Sequence, residues 1–127
     1  MTLEDLKAKD VMITELVTVS PNEKIALTDL IMTRRNIGGL PVIDKGKLVG
    51  IITQRDIMFA RNYDIGGLMT KDLMTKELIT VEQEAYLKNV LGLMLENKIE
   101  RLPVVDDGRL VGLIVHDRIL RAVYEAL

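Results

Sequence analysis

Apolar residues along the chain follow two spacings, one typical of helices and one typical of strands. Leu87, Val90, Leu91 and Met94 have helical spacing and predict a helix with one buried face. Two mostly apolar runs, 40–43 and 48–52, flank a short polar turn that contains glycine, which predicts a β-hairpin. The pattern therefore indicates a chain that mixes helices with short antiparallel strands.

The ends of the helices are predicted from capping signals. Ser20-Pro21-Asn22-Glu23 reads as an N-cap serine followed by proline in the first helical turn, which predicts a helix start after the β-rich run 16–19. Gly38-Gly39 predicts the end of that helix through a left-handed residue. Further helices are predicted from about Gln54 and from about His116.

The whole pattern occurs twice. A shift of 62 residues aligns positions 9–57 with 71–119 without a gap, and 19 of these 49 positions are identical. Because each copy is too short to bury a sufficient core alone, we expect an α+β fold of two β-α-β-β-α repeats packed by a pseudo-two-fold. The first strand of each repeat should lie parallel to the second.

The repeat also predicts the domain boundaries. Repeat 1, with an N-terminal segment, is assigned to residues 1–62, and repeat 2 to residues 71–127. Residues 63–70 are assigned as a linker, in which Gly66-Gly67 indicates a flexible or sharply turning connection.

Composition excludes several kinds of function. The 127 residues carry a net charge of -2, which gives no electrostatic footprint for nucleic acid. The chain has no cysteine and one histidine, so disulfides, thiolate nucleophiles and cysteine-rich zinc sites are excluded and no metal site is expected. No apolar run approaches the ~20 residues that cross a bilayer, and the first residues do not resemble a signal peptide. We therefore expect a cytoplasmic protein without membrane contact.

No catalytic site is predicted either. His116 has no serine, cysteine or paired acid in a triad order, so it is interpreted as a helix cap or a solvated side chain. Four methionines at repeat-equivalent positions are interpreted as core residues, with a methionine-lined partner surface as the alternative. These four are Met12, Met32, Met74 and Met94.

The ordered blocks of the repeat resemble the cystathionine-β-synthase (CBS) domain, and the pair resembles a Bateman module. The first copy reads K-D-V-M, L-V-T-V-S-P, L-P-V-I-D and G-K-L-V-G-I-I-T-Q-R-D-I, and the second reads K-D-L-M, L-I-T-V, R-L-P-V-V-D and G-R-L-V-G-L-I. The resemblance implies clefts between the copies that bind AMP, ADP, ATP or S-adenosylmethionine, with no cofactor required. It further implies a homodimer that regulates an unknown partner protein in trans.

The resemblance places one ribose site in the first copy. Members that bind adenosine ligands carry Ser/Thr-x-x-Asp after the last strand, and Thr53-Gln54-Arg55-Asp56 matches this motif. A carboxylate can accept two hydrogen bonds from the ribose diol, and Arg55 can supplement the helix N-terminus toward phosphate. The same spacing also describes a helix cap, so capping alone and capping with ligand binding both remain open.

The second copy departs from the motif, because Val115-His116-Asp117-Arg118 stands at the equivalent positions. Asp117 lies one residue early, which on a helix is a rotation of ~100° away from the expected direction. At most one well-formed ribose site is therefore expected.

The resemblance also implies an adenine pocket and a phosphate contact. In the first copy the candidates are Val17, Thr18, Gly38, Gly39, Leu40, Pro41 and Val42. In the second copy they are Thr80, Arg101, Pro103 and His116. Arg101 could hold phosphate in a composite site with Asp56, or could form a surface salt bridge with Glu100 or Asp106.

Two functions remain open at this point. The first is a regulatory module that senses an adenosine derivative between the two repeats and signals to a partner protein. The second is a ligand-free module for dimerisation and protein interaction. Neither is an enzyme.

Overall fold

Helices and two-stranded sheets alternate in the computed structural model, which describes residues 2–60 and 65–127. Two 3₁₀ turns lie at Leu3–Asp5 and Ile65–Gly67. In chain order, the helices and strands are α1 (Ala8–Val11), α2 (Ile25–Arg35), β1 (Gly39–Asp44), β2 (Lys47–Thr53), α3 (Gln54–Ala60), α4 (Thr70–Leu73), α5 (Leu87–Asn97), β3 (Arg101–Asp106), β4 (Arg109–Val115) and α6 (His116–Ala126). The predicted α+β class is confirmed.

Both predicted hairpins form. β1 pairs antiparallel with β2, and β3 pairs antiparallel with β4. The two central turn residues have positive φ in each hairpin, 51° and 80° at Lys45 and Gly46, and 51° and 78° at Asp107 and Gly108. This is the backbone of a type I′ turn, whose twist matches that of the strands it joins.

The first predicted strand of each copy is reduced to a single bridge. Val19 donates its N–H to the Pro41 carbonyl oxygen at 3.1 Å, and its own carbonyl accepts from the Ile43 N–H at 2.9 Å. This bridge is parallel, as predicted, and Val81 forms the equivalent parallel bridge with Val104.

The predicted ends of the first long helix were wrong at both termini. Residues 20–23 form a turn in which Ser20 Oγ accepts the Asn22 N–H at 3.2 Å, and α2 begins only at Ile25. The serine therefore caps the turn instead of the helix. At the other end, Asn36 takes the left-handed conformation with φ 54°, whereas Gly38 and Gly39 have no positive φ.

Two compact units make up the chain, and each takes its first segment from the other repeat. Residues Val17–Leu78 form one unit, called here the first-repeat unit. Met1–Leu16 and Ile79–Leu127 form the other, called the second-repeat unit. Residues 65–78 therefore belong with the first repeat and residues 2–16 with the second. The boundaries of the repeats and the linker, as assigned from the sequence, remain a prediction. Residues 61–64, at the predicted junction of repeat 1 and the linker, lie outside the described residues.

Each unit has its own apolar core, built from the equivalent faces of helices and strands. The core cluster of the first-repeat unit consists of the buried apolar side chains Val19, Ile25, Met32, Leu40, Val42, Ile52 and Ile57. Those of the second-repeat unit are Ala8, Val11, Val81, Leu87, Val90, Met94, Leu102, Val104 and Ile114. Both cores fix the last strand and the helix after it, where the candidate site residues lie.

Candidate ligand site

Thr53 and Asp56 form hydrogen bonds with each other at the junction of β2 and α3. The Thr53 N–H and Oγ1 donate to Asp56 Oδ2 at 2.9 and 3.0 Å, and the Asp56 N–H lies 3.3 Å from Thr53 Oγ1. These contacts form a reciprocal capping box. The predicted helix cap is therefore confirmed, and it fixes the rotamer of the carboxylate.

The capping box uses only one carboxylate oxygen. Within residues 2–60 and 65–127, both hydrogen bonds to the Asp56 carboxylate end on Oδ2. The side chain is half-buried, and its Oδ1 can still accept hydrogen bonds. A carboxylate oxygen has two lone pairs and can accept hydrogen bonds from two neighbouring hydroxyl groups. The arrangement can thus receive a vicinal diol without breaking the helix cap.

The two glycines predicted beside this motif lie next to it. Gly39 is the partner of Thr53 in the hairpin register, and the Gly38 carbonyl accepts the Gln54 N–H at 3.0 Å. Gly39 is buried and Gly38 is half-buried. The hairpin therefore brings Gly38, Gly39, Thr53 and Asp56 together within the first-repeat unit.

The predicted pocket residues of the first strands differ in exposure. Leu40 and Val42 are 1% and 0% exposed and belong to the core, so a ligand could meet only their backbone. Pro41 is also buried. Val17 is half-buried and Thr18 is exposed, so these two side chains are open to contact from solvent.

Arg55 is an exposed residue of α3. The ion pairs found in the described part of the chain do not include it. Its guanidinium is therefore available for an anion.

The second copy has a different arrangement at the equivalent junction. Val115 precedes α6 without a side-chain hydrogen bond to the helix, and His116 and Asp117 are exposed. Arg118, at the position of Asp56, turns inward and donates from Nη2 to the Met12 carbonyl oxygen at 3.4 Å. A cation bonded to the protein's own backbone replaces the acceptor that a ribose would need.

Arg101 is mostly covered, with 22% of its side chain exposed, and it lies opposite Val115 in the hairpin. Its Nη1 lies 3.9 Å from Glu100 Oε2, a loose contact of the kind expected from a surface salt bridge. Thr80 is exposed and Pro103 is buried. The composite site of Arg101 with Asp56 stays a prediction.

The bond from Arg118 to the Met12 backbone was not predicted from the sequence, in which Arg118 marks only the loss of a carboxylate. Met12, which supplies the carbonyl partner of Arg118, also lies against Gly112, where a Cβ would collide with its side chain. Gly50 and Met74 repeat this contact in the other unit, with a Cβ at Gly50 only 2.5 Å from Met74 Sδ. Met and Gly occur at equivalent positions of both copies, and this was the sequence feature that could have predicted the packing of Met12 beside β4.

Neither a metal centre nor a membrane span is found in the described residues. No group of three or more His, Asp or Glu side chains there could hold a metal ion. None of the helices there is long and apolar enough to cross a bilayer.

Comparison with known proteins identifies the family. The model of the CBS domain matches residues 8–63 and again residues 70–125. Inosine-5'-monophosphate dehydrogenase of Korarchaeum cryptofilum is 43% identical over 109 residues, which are 85% of this chain and 22% of that protein. The chain thus spans about a fifth of the dehydrogenases that it matches. The CBS domain-containing protein YhcV of Bacillus subtilis is 37% identical, and the match covers 84% of this chain and 77% of YhcV.

Solved structures agree with this family. The CBS domain pair of protein MJ0100, in complex with 5-methylthioadenosine and S-adenosyl-L-methionine, superposes with a TM-score of 0.87 at 31% identity. The match covers 96% of this chain and 98% of that one. CBSX2 in complex with AMP also gives 0.87, at 30% identity and with 94% and 96% of the chains covered. The chain belongs to the CBS domain family and carries two CBS domains in tandem.

Proposed function

We propose that this CBS pair is a regulatory module that binds an adenosine derivative through Thr53 and Asp56 and signals its binding to a partner protein. The observation that carries the proposal is the Asp56 carboxylate, which is oriented by Thr53 and keeps one oxygen for a ligand. Two similar CBS pairs were solved with S-adenosyl-L-methionine, 5-methylthioadenosine or AMP. All three ligands contain adenosine, so the shared chemistry is a ribose with an adenine base.

Each part of such a ligand has a counterpart among the described residues. The ribose hydroxyls would donate to Asp56 Oδ1, and the Thr53 side chain would border the sugar. The base would lie along the backbone near Gly39 and Pro41, beside Val17 and Thr18. A phosphate or carboxylate on the ligand would meet Arg55. The contribution of Arg101 is a further part of the proposal and rests on the sequence alone.

A thermal-shift panel tests the proposal. AMP, ADP, ATP, S-adenosylmethionine and NAD would each be added to the purified chain at high excess. A ligand at ~100 times its Kd stabilises the native state by ~2.7 kcal/mol, and each kcal/mol raises the Tm by ~3–5 °C at this size. We expect a rise of about 8–13 °C for at least one compound. Melting curves that coincide across the panel would favour a ligand-free module.

The second candidate function is dimerisation and protein interaction without a ligand. It is favoured by apolar side chains at the surface of the last helices of the two repeats. Leu120 and Tyr124 of α6 are 70% and 78% exposed, and Met58 and Phe59 of α3 are 61% and 74% exposed. Apolar faces of this kind often mark protein interfaces. We propose that they support a homodimer, in which case Leu120→Glu should leave the secondary structure intact and shift the sedimenting species to a monomer.

The regulated partner and the location remain proposals. The dehydrogenase relatives share only the CBS region with this chain, so we propose that the chain itself has no dehydrogenase or other catalytic activity. It would act on a separate protein, and the cytoplasmic location is carried over from the sequence as a prediction.

A further inference from the structure

The two exchanged segments, residues 2–16 and 65–78, bind their units through equivalent backbone hydrogen bonds. The Thr70 N–H donates to the Glu23 carbonyl at 2.7 Å, and the Ala8 N–H donates to the Ala85 carbonyl at 2.7 Å. These residues are equivalent under the 62-residue shift that relates the repeats. The backbone alone would therefore accept either segment on either unit, and selection must come from side chains.

One side-chain difference is a buried hydroxyl pair that only the first-repeat unit has. Thr28 Oγ1 and Thr70 Oγ1 lie 2.9 Å apart, and both residues are 0% exposed. Thr70 Oγ1 also donates to the Glu23 carbonyl at 2.9 Å. Since a hydroxyl has one hydrogen, Thr28 must supply the hydrogen that joins the pair. The Thr28 hydroxyl has this partner only when segment 65–78 lies on this unit.

At the same two positions the second-repeat unit is apolar. The equivalents of Thr70 and Thr28 are Ala8 and Val90. Both are 0% exposed and belong to one cluster of buried apolar side chains. A threonine brought to the position of Ala8 would find the Ala85 carbonyl but no hydroxyl at Val90. An alanine brought to the position of Thr70 would leave the buried Thr28 hydroxyl without its partner, which costs free energy.

A second difference is electrostatic. Glu84 accepts from Lys7 Nζ at 2.7 Å and from Lys9 Nζ at 2.9 Å, and these two hydrogen bonds lower the pKa of Glu84 to about 2. Lys7 Nζ also lies 5.5 Å from the centre of the Tyr86 ring. In the first-repeat unit, the bridge equivalent to Lys7–Tyr86 joins Met69 to Lys24. A lysine at position 69 would face Lys24, with like charges side by side.

We propose that these two differences assign each exchanged segment to its own unit. The hydroxyl pair selects segment 65–78 for the first-repeat unit, and the Lys7 contact with Glu84 selects segment 2–16 for the second-repeat unit. Lys9 does not discriminate between the segments, because Lys71 is its equivalent in segment 65–78. Each unit thus presents a docking surface that fits one of two closely similar segments of the same chain. The inference does not depend on a ligand.

An exchange of the buried residues tests the hydroxyl pair. Ala8→Thr with Thr70→Ala changes only the segments, and Thr28→Val with Val90→Thr changes only the surfaces that receive them. Each double variant leaves one buried hydroxyl, the one on the receiving helix, without its partner, so we expect each to lower the Tm by roughly 5 °C or more. The quadruple variant carries the hydroxyl pair in the other unit and should recover most of that loss.

The quadruple variant decides the question even where a double variant does not fold. A cooperative melt close to that of the native chain supports the assignment by matched pairs. A quadruple variant that does not fold, or whose Tm falls by the sum of the two double-variant losses, overturns it.

Exchange of the charged residues is a separate test. Lys7→Met with Met69→Lys removes one cation from Glu84 and places another beside Lys24. We expect the Tm to fall by a few degrees at low ionic strength and the loss to shrink near 1 M NaCl, where the Debye length is ~3 Å. Lys47→Met, in an exposed hairpin position, is the control for the loss of a lysine. A loss that is absent or equal at both salt concentrations contradicts the electrostatic part.

Discussion

Asp56 has two roles that can be separated at the level of single residues. Its Oδ2 caps α3 through Thr53, and its Oδ1 is the proposed ligand acceptor. Asp72 makes the same kind of cap at the start of α4, where its Oδ2 accepts the Met69 N–H at 2.8 Å. Because Asp72 is exposed and absent from the candidate site, it serves as a matched control.

Asp56→Ala and Asp72→Ala should therefore differ in ligand response and not in stability. Each removes a capping carboxylate, which costs ~1 kcal/mol and lowers the Tm by ~3–5 °C. With the active compound from the nucleotide panel, Asp72→Ala should keep the full thermal shift and Asp56→Ala should lose it. Equal thermal shifts in the two variants would remove Asp56 from the site.

The sequence predicted two roles for the motif Thr53-x-x-Asp56, a helix cap alone or a cap that also binds a ligand. The structure confirms the cap. Its ligand role stays a prediction, since a capping box and a ribose acceptor require the same residue types. The opposite holds at Arg118, where the sequence shows a lost carboxylate but not the inward bond to Met12. That bond joins residues 106 positions apart, which local patterns do not report.

Helices α2 and α5 end in left-handed residues that have side chains. Asn36 closes α2 with φ 54°, and Lys98 closes α5 with φ 53°. The sequence suggested Gly38 and Gly39 for this task because glycine is the usual residue there. Asparagine tolerates the left-handed region, whereas lysine adopts it at a cost.

Lys98→Gly should consequently stabilise the protein. Removal of the side chain relieves the strain of positive φ, and we expect a gain of about 0.5–1 kcal/mol and a Tm higher by ~2–4 °C. Glu96→Gly, inside the last turn of α5, should instead lower the Tm by a similar amount. Thermal melts of both variants against the native chain measure this, and a lower Tm for Lys98→Gly would contradict the assignment of Lys98 as the cap.

The hairpins were the elements predicted most reliably, because glycine and polar residues between apolar runs leave few other backbone choices. The first strands were harder, since one parallel bridge at Val19 and another at Val81 need partners that lie far along the chain. The start of α2 was misplaced because a serine and a proline favour a turn as readily as a helix start. Local chemistry alone does not distinguish the two.

The two repeats are visible in the sequence, but the exchange of their first segments is not. Alignment shows that 9–57 and 71–119 are equivalent, and equivalent segments can pack on either unit. Only the side-chain partners separate the two arrangements. Thr28 with Thr70, and Glu84 with Lys7, are not recognisable as pairs until the fold is known.

The Glu84 contacts predict a dependence of stability on pH. The hydrogen bonds from Lys7 and Lys9 lower the pKa of Glu84 from 4.5 to about 2 in the folded chain. A lowered folded-state pKa means that the contribution is complete above pH 4.5 and is lost as the pH falls toward 2. We expect the Tm difference between the native chain and Glu84→Gln to shrink across this range, and a difference that widens would show the opposite sign.

Isothermal titration calorimetry of the native chain with AMP, ATP and S-adenosylmethionine tests the central proposal most directly. The structure provides one oriented carboxylate, at Asp56, and an inward-bonded arginine at the equivalent position of the second repeat. We therefore predict saturable binding of at least one compound at one molecule per chain, with no measurable heat from Asp56→Ala. Absence of heat from all three compounds, or unchanged binding by Asp56→Ala, would contradict the proposed site.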